Sequence, residues 1–362
     1  ALANYLLQDT DKYSIQEWVD NYDDTEQYPR VLSSLGFYNI VNGSFGIAVG
    51  LASSIPQFNL KEVNQALINL LKNPDISDDE IVCLPDFATG GIIINKDEVI
   101  ESLKKGTGKA AIIQAKIEYD KKEHCLIVTE LPYGVYTNTV CGELEKLSQK
   151  DDNFGIVRIN DLTGEQVCMK LYLAKAADPK QMIDYLYQNT SLQSSYSINL
   201  TMLEDGRFPK VFKWKDALLS HLRHEEEVYT RCYEHEKEEL HHKIKILNAL
   251  RLAARNIDVV IEYVQAAESF QEASSSLQKA LQIDEEQAKS ILDMKLSRLS
   301  KLEISDIEQK LNKNMDRLAE VKDILSNKDR LYAVMIERFQ EVSKKFGDNR
   351  RTQVIQKEVV AA

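Results

Sequence analysis

Between Asp216 and its last residue the 362-residue chain has no proline and one glycine, Gly347. Nothing there obliges a helix to stop. No apolar run approaches the roughly 20 residues that a bilayer span requires, and no secretory leader is visible, so a cytosolic protein without membrane segments is expected. Cysteine is sparse. Cys83, Cys125, Cys141, Cys168 and Cys232 are odd in number, scattered and never spaced C-x-x-C, which argues against a disulfide framework and against zinc. Positive charge is in deficit as well: 57 acidic residues against 45 basic ones leave a net charge of −12. A chain that grips nucleic acid by bulk electrostatics is thereby excluded, and any DNA contact must be local.

What is present divides in two. Up to about residue 215, short apolar runs alternate with Gly and Pro, as in an α+β or α/β domain. Ala111–Tyr119 alternates apolar and polar residues, Asp120–His124 supplies a polar turn and Cys125–Thr129 is apolar, which predicts a β-hairpin. Met169–Ala174 predicts another strand. Leu60–Leu71 places Val63, Leu67, Leu70 and Leu71 on one helical face.

The second half carries two seams. Ile246, Leu250, Ala253, Ile257, Val260 and Val264 recur at spacings of four and three, and so do Ile304, Ile307, Leu311, Leu318, Val321 and Leu325, with polar Asn314 in the gap. An antiparallel pair of long helices is expected, over 216–264 and 302–347, with a small helical cluster at 265–301 and a tail at 348–362. At roughly 1.5 Å per residue the first helix would be about 70 Å long. His221, Glu225, Glu236 and Glu239 interrupt its early part, so pairing there should be loose or solvent-exposed. A plain helical bundle satisfies the same pattern.

Several motifs occur in order: NYDDTEQYP (Asn21–Pro29), VNGSFGIAVGLASSIPQFN (Val41–Asn59), PDFATGG (Pro85–Gly91), GTGK (Gly106–Lys109), TELPYGV (Thr129–Val135), LYQNTSLQSSYSINL (Leu186–Leu200), ILDMKLSRLSKLE (Ile291–Glu303) and FGDNRRT (Phe346–Thr352). In this order the chain resembles the A subunits of type IIA DNA topoisomerases, that is, DNA gyrase and topoisomerase IV. The resemblance implies a shoulder or tower domain over 1–215, then a long antiparallel coiled coil bearing a helical dimerisation gate. It implies binding of double-stranded DNA, a homodimer, and a partner B subunit that holds the Mg2+ and ATP; no cofactor is expected in this chain. The family's catalytic tyrosine would fall ahead of Ala1, and Tyr5, Tyr13 and Tyr22 lack its Arg-Tyr-Thr setting, so no catalytic residue is expected here.

Residue by residue, the family's DNA-kinking isoleucine corresponds to Ile47, in a loop with Gly43, Ser44, Phe45 and Gly46. An apolar side chain can partly unstack a base step, at a cost of about a few kcal/mol that wider contact offsets. Read from the pattern alone, Ile47 is an ordinary strand residue in the run Ile47–Val49. Phe45 departs from the family, whose members usually carry a small polar residue there. Lys109 is a candidate phosphate contact, although Gly106–Lys109 fails the P-loop test because Leu103 and Ala110 occupy diagnostic positions; a hairpin-entry turn is the other reading. Gly134–Thr139 lacks the basic residues usual in the family. The gate is placed at Ile291, Leu292, Met294, Leu296 and Leu299.

His221 with His224, and His241 with His242, raise a metal site for which no further ligand is placed, and none is expected. The function expected is the DNA-bending and exit-gate portion of an enzyme that passes one duplex through another at the expense of ATP. The rivals are a coiled-coil spacer and a non-catalytic DNA-binding module.

Overall fold

The alternation that begins at Ala111 makes strand in two pieces, Ala111–Gln114 and Lys116–Asp120, which belong to different sheets. Ala115 between them is fully buried and donates its N–H to Leu192 O at 2.7 Å, so the chain changes partner there without leaving a backbone group unpaired.

The computed structural model describes residues 17–32, 36–150, 154–204, 206–294 and 301–356. Its mixed α+β fold runs β1 (Trp18–Asp20), β2 (Gln27–Pro29), α1 (Tyr38–Val41), β3 (Ser44–Ala48), β4 (Leu51–Ile55), α2 (Leu60–Lys72), α3 (Asp78–Ile81), β5 (Ile92–Ile93), α4 (Lys96–Lys105), β6 (Ala111–Gln114), β7 (Lys116–Asp120), β8 (Cys125–Glu130), α5 (Thr137–Lys150), β9 (Ile156–Asp161), β10 (Met169–Leu173) and α6 (Pro179–Asn189). It continues with β11 (Gln193–Tyr196), β12 (Thr201–Glu204), β13 (Phe208–Val211), α7 (Trp214–Arg255), α8 (Ile257–Ala266), α9 (Phe270–Leu281), α10 (Glu285–Leu292), α11 (Lys301–Ser326), α12 (Lys328–Phe346) and β14 (Gln353–Val354). The described residues form two compact units, one drawn from 36–224 and 335–356, the other from 225–334 and 17–32.

In the first unit an antiparallel sheet of order β7-β8-β10-β9 forms one layer. Leu126 and Val128 stand opposite Leu171 and Met169 on its inner face, where Val140 and Leu144 of α5 and Leu186 of α6 close the core. Each such side chain contributes about 1.5–3 kcal/mol on burial. Helix α6 starts where it does because Asp178 accepts from the N–H groups of Lys180 and Gln181 and Pro179 occupies the first turn. The second sheet, β11-β6-β5-β14, takes its last strand from the far end of the chain, parallel to β5. The stretch expected as a tail therefore joins this unit: Gln353 N–H donates to Gly91 O, Ile355 N–H to Ile93 O, and Phe87 N–H to the buried Thr352 Oγ1 at 2.7 Å. Trp214, also buried, donates its indole N–H to Ile81 O at 2.8 Å and packs on Phe58.

The second unit holds both seams. Leu240 packs with Leu318 and Val321; Leu250, Ala253 and Val260 pack with Leu277, Ala288, Ile291 and Ile307. Partners on α7 rise in number as those on α11 fall: Glu236 takes both arms of Arg317 (2.7 and 3.0 Å), and Arg255 reaches Glu308 at 2.8 Å. The two helices thus run in opposite directions. Glu236, expected to loosen the pairing, is held by a two-pronged charge-assisted contact, and Glu236 foremost raises the Arg317 pKa. Neither long helix is unbroken. At Asn256 the side chain donates to Leu252 O and the backbone N–H is shared between Leu252 O and Ala253 O, which ends α7. Val264, expected in the seam, is accordingly exposed. At Asn327 the side-chain oxygen accepts from Asp329 N–H and caps α12.

Candidate nucleic-acid interface

Ser44, Phe45, Gly46 and Ile47 lie on one two-stranded ribbon, β3–β4, and Gly43 immediately precedes it. Its closing pair is Ala48↔Leu51, and Gly50 (φ +77°) supplies the left-handed residue that the two-residue turn Val49–Gly50 requires. Every residue of β3 is exposed: Phe45 is 72% accessible, Ile47 78% and Val49, at the turn, 106%. Ile47 is thus a strand residue, but one whose side chain has no core to enter.

The base of the ribbon is fixed. Ser54 and Asn199 exchange both backbone hydrogen bonds at 2.9 Å, Asn199 Nδ2 donates to Ala52 O, Ser54 Oγ donates to Ser197 O and Tyr196 OH to Ile55 O. Gly43 (φ +70°) lies against Ile55 O, which a Cβ would approach to 2.8 Å. A rigid root therefore carries an apolar, solvent-facing blade. Sequence reading missed how much apolar surface the blade offers, Val49 and Leu51 included. The available signal was charge: no Asp, Glu, Lys, Arg or His occurs from Val31 to Leu60.

The GTGK turn meets the ribbon's root through Asn199, which bridges both Thr107 and Ser54. Gly106 ends α4 in the left-handed conformation, so the turn is a helix cap. Lys109 is solvent-facing and its ammonium contacts Glu98; that hydrogen bond foremost holds the Glu98 pKa below the usual carboxylate range. The cleft beside Lys109 is lined by Asp97, Glu98 and Glu101 together with Lys105, so charges of both signs face it. A second exposed ribbon, β12–β13, presents Leu203, Phe208 and Val211.

Of the gate residues, Ile291 is buried in the helical unit's own core, with Leu292 and Met294 partly buried against it. Leu296 and Leu299 lie outside the described residues, as do Tyr5 and Tyr13. Exposed apolar residues of this unit include Ile261, Tyr263, Val264 and Phe270. Tyr22, 98% accessible, stands in the loop between β1 and β2.

His221 is buried and stacked on Phe37 at 4.4 Å, and His242 Nε2 lies 2.8 Å from Glu286 Oε1. Among the described residues one cluster has ligand spacing, Asp120, Glu123 and Cys125. It does not fit magnesium, which takes oxygen ligands: Cys125 is a buried soft thiol, and Glu123 already accepts from Lys170 Nζ (2.8 Å) and Tyr172 OH (3.2 Å). No described helix is long and apolar enough to cross a membrane.

Residues 1–340 match the family model for the A subunit of DNA gyrase/topoisomerase IV. The chain is 36% identical over 362 residues to the DNA gyrase A subunit of Leptospira biflexa, covering 98% of this chain and 42% of that one. It is 34% identical to that of Metamycoplasma arthritidis (96% and 39%) and 31% identical to that of Kosmotoga olearia (98% and 44%). The chain thus spans about two fifths of the length of these relatives.

Proposed function

Because the chain belongs to the family of DNA gyrase/topoisomerase IV A subunits, we propose that it supplies the DNA-bending and exit-gate portion of a type IIA topoisomerase that passes one duplex through another. The observation that carries the reading is the β3–β4 ribbon. A rooted strand pair that holds Ile47 and Val49 in water and bears no charge is costly surface for a protein that uses it for nothing. Base stacks are apolar and flat, phosphates are not, so this chemistry suits insertion between bases rather than contact with the backbone. The unit drawn from 36–224 and 335–356 is then the shoulder or tower that kinks a duplex.

In the same reading the antiparallel helices of the second unit form the coiled coil, and its short helices form the gate between two copies. Exposed Ile261, Val264 and Phe270 support self-association. In this reading Mg2+ and ATP belong to the partner B subunit. The chain itself bends and gates DNA and carries out no covalent step.

The deciding experiment measures end-to-end energy transfer across a duplex of about 30 base pairs bound to the chain and to Ile47→Ala. The variant should lose more than half of the bend while affinity falls less than tenfold, since the unstacking cost of about a few kcal/mol disappears together with the contact. Equal bending by both proteins rules out the wedge. For the gate, sedimentation at micromolar concentration should show a dimer, which Val264→Asp shifts towards monomer. A wild-type chain that stays monomeric removes that half of the proposal.

A further inference from the structure

Ile47 is not alone on its face of the ribbon. Strand alternation puts Phe45 on the same side, two residues away, and both side chains stand in solvent at 72% and 78% accessibility. Their cross-strand neighbours are small, Ser54 opposite Phe45 and Ala52 opposite Ile47. Gly46 between them projects nothing on the other face, and no atom lies within 4 Å of where its Cβ would be. The blade therefore carries Phe45 and Ile47 on one face, with Leu51 and the buried Ile55 on the other.

Alternate residues of a strand are separated by about 6.5–7 Å, and stacked base pairs by about 3.4 Å. Two side chains so spaced match base steps two apart. We propose, resting on the DNA-bending reading above, that Phe45 is a second wedge entering the step two removed from the one Ile47 enters. The chain then selects duplexes that have flexible pyrimidine–purine steps at both places. Unstacking costs least at such steps, so two of them at this spacing lower the deformation energy twice. A charged ribbon would instead read the phosphates at any sequence, but no charged residue occurs from Val31 to Leu60.

Three duplexes test this, identical except for a central TATA, TAGA or GAGA, which hold two, one and no pyrimidine–purine steps at that spacing. With the 362-residue chain, TATA should bind roughly fivefold tighter than TAGA, and TAGA roughly fivefold tighter than GAGA. Phe45→Ser, which touches no core, should abolish the first ratio and keep the second; Phe45→Leu should keep part of the first. Equal binding of TATA and TAGA by the wild type, or a first ratio that survives Phe45→Ser, overturns the second wedge and leaves the role of Ile47 standing. Equal binding of all three duplexes, or none, overturns both the second wedge and the DNA-bending reading on which it rests.

Discussion

Gly106→Ala is expected to destabilise the unit that carries the ribbon by roughly 3 kcal/mol or more, the sum of a left-handed backbone penalty of about 1–2 kcal/mol and a steric one. The backbone there has φ +84°, and an added Cβ would stand 2.1 Å from Phe212 O, 2.8 Å from Phe212 C and 3.0 Å from Val211 Cγ1. Two of those three atoms are backbone, so no rotamer change relieves the overlap. The chain must shift, and what it would shift is shared: Leu200 N–H donates to Gly106 O at 2.7 Å, Phe212 N–H donates to Leu200 O, and Asn199 next door bridges to Ser54 of the ribbon. Thermal unfolding followed by circular dichroism should show the loss as a midpoint several degrees lower, and DNA bending should weaken along with it. Gly142→Ala is the control. That glycine lies inside α5 at a negative φ with no atom within 4 Å of a Cβ, so alanine should stabilise by about 0.5–1 kcal/mol. If both variants melt like the wild type, the strain assigned to Gly106 is not there.

The same two glycines show what a sequence reveals and what it hides. Periodicity is local, and it was legible: Val63, Leu67 and Leu70 are buried on α2 as their spacing predicts, and the hairpin β7–β8 and the strand from Met169 form as the alternation predicts. The first seam buries Leu250, Ala253 and Val260, and the second Ile307, Leu311, Leu318 and Val321. Where a long-range partner decides the outcome, the pattern gave no warning. Ala115 divides an apparently single strand because Leu192, 77 residues on, takes its N–H. Glu236 reads as a flaw in a seam until Arg317 is opposite it. Asn256 ends α7 and Asn327 starts α12 through side-chain bonds to backbone groups, a choice that an asparagine on a helix surface does not force.

At the site the balance is similar. Motif order brought Ile47 and its neighbours into view, and their residue types are compatible with a buried strand as much as with a blade. Exposure separates the two, and exposure depends on the root built by Ser54, Tyr196 and Asn199, residues about 140 positions apart in the chain. Ile291, read as a gate residue, is also part of its own unit's core, a role that its motif does not announce. The charge-free stretch from Val31 to Leu60 was visible throughout and is the feature a reader of such sequences should weigh.

The second large effect concerns Arg350, in the segment that brings the end of the chain back to the first unit. Its guanidinium donates to Leu84 O and Pro85 O, each at 2.9 Å, and grips the Glu62 carboxylate with two arms, one at 2.8 Å. Burial works against its charge and Glu62 favours it, with a net upward shift of its pKa. Arg350→Met removes every one of those donors at once. It leaves two carbonyls and a carboxylate without their partner, a loss of about 3 kcal/mol. The double variant Arg350→Met with Glu62→Leu should recover part of it, because no unmatched charge remains.

Cys83 reports on the change. Its thiol is pushed up to about 12, chiefly by burial and then by Glu62, while Arg350 acts in the opposite sense. In the intact protein it should resist a disulfide reagent at about pH 8, where it is almost wholly protonated. Removing the nearby cation would by itself raise that pKa further and slow labelling. Faster labelling of Cys83 in Arg350→Met therefore measures opening of the structure rather than electrostatics, and slower labelling with an unchanged melting point would mean that Arg350 tunes a charge without holding the fold together.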